Sequence, residues 1–231
     1  MPAALALAGC SAGGGGGDLL AEEGACGYDQ QTLLPAMEAA LPADATVQVA
    51  VKMSGAGQET VIDAVVAYTP TGAEMDMTTL SNGEGFALIV VDDRLFVSDS
   101  ISGGAYQELD GSDPAAAQLR SQAASMDIAS SFAAWDAGLE RVELVGEDEI
   151  DGEPVCHYSL TVGAAAAAEA QGDPLVPGMP ETVTYELYLT EGDLMRRAEF
   201  ELGGIEAEMN ATRWNEPVVI EAPSGASLSG S

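Results

Sequence analysis

The chain has 231 residues and carries 38 acidic side chains against 7 basic ones, a formal net charge of −31, while 47% of its residues are hydrophobic. Such a charge repels nucleic acid phosphates and an anionic lipid surface, which excludes both as charge-driven partners. A mean hydropathy of +0.10 excludes a disordered acidic chain, because disorder needs low hydrophobicity as well as high charge. The length suits one all-β or α+β domain with a sizeable core. With aromatics at 5% and 9 methionines, that core is built chiefly from aliphatic and thioether side chains. No apolar run approaches the roughly 18 residues that a membrane-spanning helix needs.

In chain order, an Ala/Leu-rich stretch over residues 1–9 ends against Cys10, and a glycine run, Gly13 to Gly17, follows. Leu7, Ala8, Gly9 and Cys10 resemble the lipobox of bacterial lipoproteins, in which the cysteine is diacylated and becomes the mature N-terminus. Two features depart from a signal peptide: no cationic n-region precedes the stretch, and the apolar run is short, so the true start is expected upstream of Met1. On this reading residues 1–9 are a residual signal peptide and 10–25 a flexible Gly-rich tether. The alternative is a chance Leu-Ala-Gly-Cys in a disordered tail.

Of the 3 cysteines, assigning Cys10 to acylation leaves Cys26 and Cys156. Outside the cytoplasm these form a disulfide; two free buried thiols are the alternative. Neither has a second ligand at C-x-x-C spacing and His157 is the sole histidine, so no metal site is expected.

The pattern over Gln31–Leu41 predicts a short helix stopped by Pro42. Val47, Val49, Val51 and Met53 then alternate with Gln48, Ala50 and Lys52, the period of a half-buried strand. Further strands are expected over Val61–Thr69 and Glu74–Leu80, then, after a turn at Asn82-Gly83, over Phe86–Val91 and Leu95–Ser98. From Pro114 to Gly138 an Ala-rich segment predicts one or two helices with Asp113 as N-cap and Leu119, Met126, Ile128, Phe132 and Trp135 buried. Strands resume over Glu140–Glu147 and, after Asp151-Gly152, over Val155–Val162. Residues 163–180 are an Ala-rich excursion in which Ala164–Ala168 makes a helical turn or nothing. Alternation of Val183, Tyr185, Leu187 and Leu189, a turn at Glu191 to Asp193, and strands over Leu194–Leu202, Ile205–Thr212 and Val218–Glu221 complete the pattern. Residues 26–223 form a single domain and 224–231 a disordered Ser/Gly tail. The fold class is α+β, with one strongly curved antiparallel sheet and inserted helices.

Three sets of residues together resemble the LppX/LprG group of actinobacterial cell-envelope lipoproteins over most of residues 30 to 223. These are Asp151 to Tyr158, then Tyr185-Glu186-Leu187-Tyr188-Leu189 with Leu194-Met195-Arg196-Arg197, and Trp214 to Pro223. The resemblance implies a LolA/LolB-like half-barrel of strands wrapped over helices. It also implies a monomeric lipoprotein, lipid-anchored on the extracytoplasmic face of the cell membrane, that carries acylated lipid or glycolipid between sheet and helices. The wall candidates are Val49, Val51, Val65, Met75, Met77, Leu88, Val90, Phe132, Trp135, Tyr185 and Leu187. Each is equally explained as ordinary core, since a half-buried strand shows the same alternation either way. A non-carrier interaction or sensor module on the same fold is the alternative, and no particular protein partner is indicated.

No enzyme is expected, and no cofactor. The formal G-x-S-x-G at Gly9 to Gly13 falls in the lipobox and tether, without the strand and helix a nucleophile elbow needs. A Ser/His/Asp triad would have to use His157, which sits beside Cys156 in a predicted strand. The acidic runs Glu147-Asp148-Glu149 and Asp110 to Asp113 do not fit the spacing of a calcium-binding EF-hand loop and read as solvated turns.

Overall fold

A computed structural model describes residues 26–70, 72–101, 104–124, 126–172 and 178–228. The lipobox with Cys10, the 1–9 segment and the 10–25 tether lie outside them. Among the described residues the chain forms α1 (Leu33–Ala40), then β1 (Thr46–Gly55), β2 (Gln58–Thr69), β3 (Gly72–Ser81), β4 (Glu84–Val91), β5 (Arg94–Ser98) and β6 (Gln107–Leu109). Helices α2 (Pro114–Ala124) and α3 (Ile128–Gly138) follow, then β7 (Leu139–Ile150), β8 (Glu153–Gly163), α4 (Ala164–Gln171), β9 (Thr182–Thr190), β10 (Met195–Leu202), β11 (Ile205–Thr212) and β12 (Ser227–Leu228).

All the strands join one curved, unclosed sheet in the order β12-β6-β5-β4-β3-β2-β1-β11-β10-β9-β8-β7. It consists of two antiparallel meanders, β1 to β6 and β7 to β11, joined where β1 pairs with β11. Tight turns with both central φ values positive connect the hairpins, as at Asn82-Gly83 (53° and 88°) and Asp151-Gly152 (54° and 85°), whose twist matches that of the strands. Register shifts in the β7–β8 and β9–β10 pairs add local bend.

The helices pack on one face of this sheet, here called inner. The α1 residues Leu33, Leu34 and Met37 join α3's Ile128, Phe132 and Trp135 and the inner-facing strand residues in one hydrophobic cluster. Asp113 accepts from the Ala115 N–H at 2.8 Å ahead of α2, as predicted, and Asp127 accepts from the Ala129 N–H at 2.9 Å to start α3. The undecided Ala164–Ala168 stretch is helical and ends at Gly172 in the left-handed region (φ 74°).

Two expectations are corrected, and one short strand goes beyond them. Val218–Glu221 is not a strand. It crosses the outer face, where Ile220 and Ala226 pack against Ile89, Val91 and Phe96, a second small apolar cluster. The β6 strand carries no detectable period because it is only 3 residues long. The ordered domain extends past Pro223: Ser227 and Leu228 pair in parallel with Gln107 and Glu108, and the Ser227 N–H donates to the Tyr106 carbonyl at 3.1 Å.

Candidate functional site

The register decides which predicted wall residues share a face. Val49 stands opposite Ala64, Val51 opposite Ile62, Met75 opposite Val66 and Val90, and Met77 opposite Ala64 and Leu88. In the second meander Leu187 is opposite Tyr158, and Tyr185 is opposite Leu160 and Phe200. All of these inner-facing residues belong to the main hydrophobic cluster or pack against it, except Phe200, which meets the Tyr185 ring. Val65 does not share the face. It pairs with Gln48 and Asp76, lies half-buried on the outer face, and is therefore no part of an inner wall. A single step of register exchanges the two faces, and Val65 is one step from the buried Val66.

Two kinds of surface make up the site. Across β1, β3 and β4 it is aliphatic, with Val49, Val51, Met75, Met77 and Leu88 each no more than 5% exposed. Under α3 it is aromatic: Phe132 and Trp135 have ring centroids 6.0 Å apart, Trp135 meets Tyr185 edge-on at 5.6 Å, and Tyr185 meets Phe200 at 5.0 Å. Burial pushes the Tyr185 phenol above its ordinary pKa, as a low-dielectric setting does for a group that ionises to an anion. Among the described residues the buried polar or charged side chains are Ser98 and Arg196, so the region carries very little charge. Arg196 donates to Asp151 at 2.6 Å and lies 3.3 Å from Glu153, which pins the β7–β8 turn to β10. The wall list omitted Leu95, Val66, Met126 and Ile128, all in the same cluster. Val66 lies in the apolar run Ala64-Val65-Val66 and Leu95 in Leu95-Phe96-Val97, where period alone does not pick the inward set.

Helix α2 is held differently from α3. Of its 11 residues, only Ala116 and Ala123 are buried. Helix α3 buries Ile128, Phe132, Ala134, Trp135 and Gly138.

The outer face is polar and acidic. A groove of about 540 Å³ is lined by Glu186, Glu199, Glu201, Glu206 and Glu208, with Lys52, Ser54 and Thr184 at its sides. His157 is half-buried here, stacked on Tyr188 with centroids 4.2 Å apart, and its Nε2 lies 2.8 Å from the Glu186 carboxylate. Ser159 donates to the other oxygen of Glu186 at 3.1 Å, so both groups meet the carboxylate and the serine-to-histidine contact of a triad is not formed. Among the described residues no group of three or more His, Cys, Asp or Glu is arranged to hold a metal ion, and no helix is long and apolar enough to cross a membrane.

Cys26 and Cys156 are joined as a disulfide, with Cα atoms 5.4 Å apart. The bridge settles the choice between a bonded pair and free thiols.

No protein-family model matches the chain, and no curated protein matches it. Solved structures do match. LprF from Mycobacterium bovis aligns at a TM-score of 0.62 and 17% identity, over 85% of this chain and 97% of that one. The lipoprotein LppX from Mycobacterium tuberculosis aligns at 0.57 and 18% identity, over 83% of this chain and 99% of that one. Identity at this level speaks for the backbone arrangement, and both alignments span nearly the whole of the solved chains. The chain therefore has the fold of LprF and of the lipoprotein LppX, the curved antiparallel half-barrel over helices that its sequence resemblance implied.

Proposed function

We propose that this protein is an extracytoplasmic lipoprotein, held at the membrane by diacylated Cys10, that binds an acylated lipid or glycolipid between the inner face of its sheet and helices α2 and α3 and carries it within the cell envelope. The observation that carries this reading is the slight burial of α2, whose Ala116 and Ala123 join the same apolar cluster as the aliphatic inner face. Ala116 and Ala123 are the residues it buries fully and Leu119 packs partly against the cluster, so the helix itself withdraws little apolar area from water. Each methylene removed from water contributes about 0.8 kcal/mol, so a sixteen-carbon chain placed there gains roughly 12 kcal/mol, well above the cost of re-exposing two alanines and part of one leucine. The valines, leucines and methionines of the inner face adapt to chains of differing shape better than a ring-lined wall does. That same energy makes spontaneous desorption of a lipid from a bilayer slow, which is the physical need for a carrier.

The aromatic packing of Phe132, Trp135, Tyr185 and Phe200 favours the second reading, an interaction or sensor module whose inner space is closed by its own rings. Native mass spectrometry separates the two. Protein purified from a lipid-containing host, then delipidated and offered a dipalmitoyl phospholipid, is expected to show one added lipid mass. Absence of any acyl adduct before and after loading would sink the carrier reading and leave the module.

A further inference from the structure

The sheet has two edges, and they are finished differently. At one end the edge is blunted by the 3-residue β6 and the 2-residue β12. At the other end lies β7, 12 residues long and, among the described residues, paired on one side only, with β8. Along such an edge alternate residues direct their N–H and C=O groups away from the sheet, which is a template for another strand. Both ends of β7 are already engaged. The Gln30 side-chain amide donates to the Leu139 carbonyl at 3.0 Å, and the Glu149 N–H is taken by the Asp148 carboxylate at 2.7 Å. Between them stand Leu144 and Val145, 46% and 57% exposed, two of the large apolar side chains left open on this protein. Val145 is the unpaired residue of the bulge between Leu144 and Gly146. Charges and bulges are usual protections of a free edge; an exposed Leu-Val pair at its centre is not.

We infer that the Arg141 to Asp148 stretch of β7 is a docking edge for an extended, basic segment of a partner protein, which adds to the sheet as a further strand. The strand carries five carboxylates (Glu140, Glu143, Glu147, Asp148 and Glu149) against the one guanidinium of Arg141. A second copy of this chain would set carboxylates against carboxylates on a body already at −31, so like charges disfavour it. The chain's own segment over residues 18–25 contains Asp18, Glu22 and Glu23 and no basic residue, and is disfavoured for the same reason. A Lys- or Arg-bearing strand with small apolar residues between its charges satisfies the edge hydrogen bonds, the carboxylates and the Leu144-Val145 pair together. The inference stands apart from lipid binding, since β7 is the outermost strand and the lipid reading concerns α2 and the inner face.

The test uses the whole chain and a decapeptide of five Lys-Val repeats, with five Lys-Pro repeats as a probe of equal charge that cannot form a strand, both followed by titration calorimetry. The Lys-Val peptide is expected to bind about tenfold or more tightly than Lys-Pro. Val145→Pro, placed at the bulge where proline is tolerated, is expected to remove that difference while the thermal transition persists. The double variant Leu144→Ser/Val145→Ser, which touches only exposed side chains, is expected to weaken binding in the same direction. Equal binding of the two peptides, no binding at all, or loss of binding in Glu199→Gln/Glu201→Gln on the outer groove with the β7 variants unaffected would each overturn the inference. So would a dimer in sedimentation that Val145→Pro dissociates, because it would assign the edge to a second copy.

Discussion

Cys26 at the start of the described chain is bonded to Cys156 in β8, so two positions 130 residues apart in sequence are fixed with Cα atoms 5.4 Å from each other. On the chain-entropy account, such a long closed loop removes freedom from the unfolded chain worth about 4–5 kcal/mol. The variant Cys26→Ser/Cys156→Ser is expected to lose roughly that stability in urea unfolding, with a larger denaturant slope as its unfolded state expands. A loss below about 1 kcal/mol would mean that the unfolded chain is compact without the bridge.

Three glutamates lie side by side across the outer face: Glu199 pairs with Glu186 on one strand and with Glu208 on the next. Arg197, 3.4 Å from Glu199 and 4.0 Å from Glu208, and Lys52, opposite Glu208 on β1, are cations near this row, and directly opposed like charges destabilise a sheet. Glu199→Gln is expected to raise stability by about 0.2–1 kcal/mol in low salt. The gain should shrink in molar salt, where the Debye length falls to about 3 Å. Unfolding curves of both proteins at two ionic strengths check it, and a salt-independent gain would point to packing instead.

Asp76 stands between Val65 and Ile89 on neighbouring strands, and burial pushes its carboxyl above the ordinary 3.8. An acid whose folded pKa is raised binds more protons folded than unfolded in the window between the two values. Stability contributed by this group therefore falls as pH rises from 3.8 through the raised value, and the penalty is complete at neutral pH. Asp76→Asn is expected to be more stable than the parent at pH 7 and to lose that advantage below the unfolded value. Urea midpoints of the pair across this range give the measurement; an advantage that grows on acidification would contradict the assignment.

Trp135 is 5% exposed and packs against both Phe132 and Tyr185. Trp135→Ala is expected to cost about 3–5 kcal/mol if the rings are a fixed core, because the neighbours cannot collapse into so large a gap. If the helix side instead opens for an acyl chain, the same variant should bind a dipalmitoyl phospholipid more tightly while its stability in the lipid-bound form recovers. Thermal melts with and without lipid distinguish these outcomes.

Much of the fold was legible in the residues. Strict alternation in β1, as in Val47, Val49 and Val51, named a buried face, and turn pairs such as Asn82-Gly83 and Asp151-Gly152 placed the hairpins because few residues tolerate positive φ at both central positions. Asp113 and Asp127 are of the residue types that cap helices. The inward-facing strand residues were readable to the same extent, with Val65 as the exception. In β2 the run Ala64, Val65 and Val66 is apolar throughout, and period alone cannot say which alternate set faces inward.

The sequence by itself determined the class of the protein: an acidic surface, an aliphatic core, a strand period broken by one Ala-rich helical insertion, and a pair of cysteines left once Cys10 is set aside. Only the tertiary structure decided the parity of β2, through Val49 opposite Ala64, and the course of the C-terminal segment over Ile89 and Phe96. It alone set the long β7 at a free edge. Local propensity acts between near neighbours in the chain, whereas register, edge position and the covering of one segment by another are fixed by contacts between residues far apart in sequence.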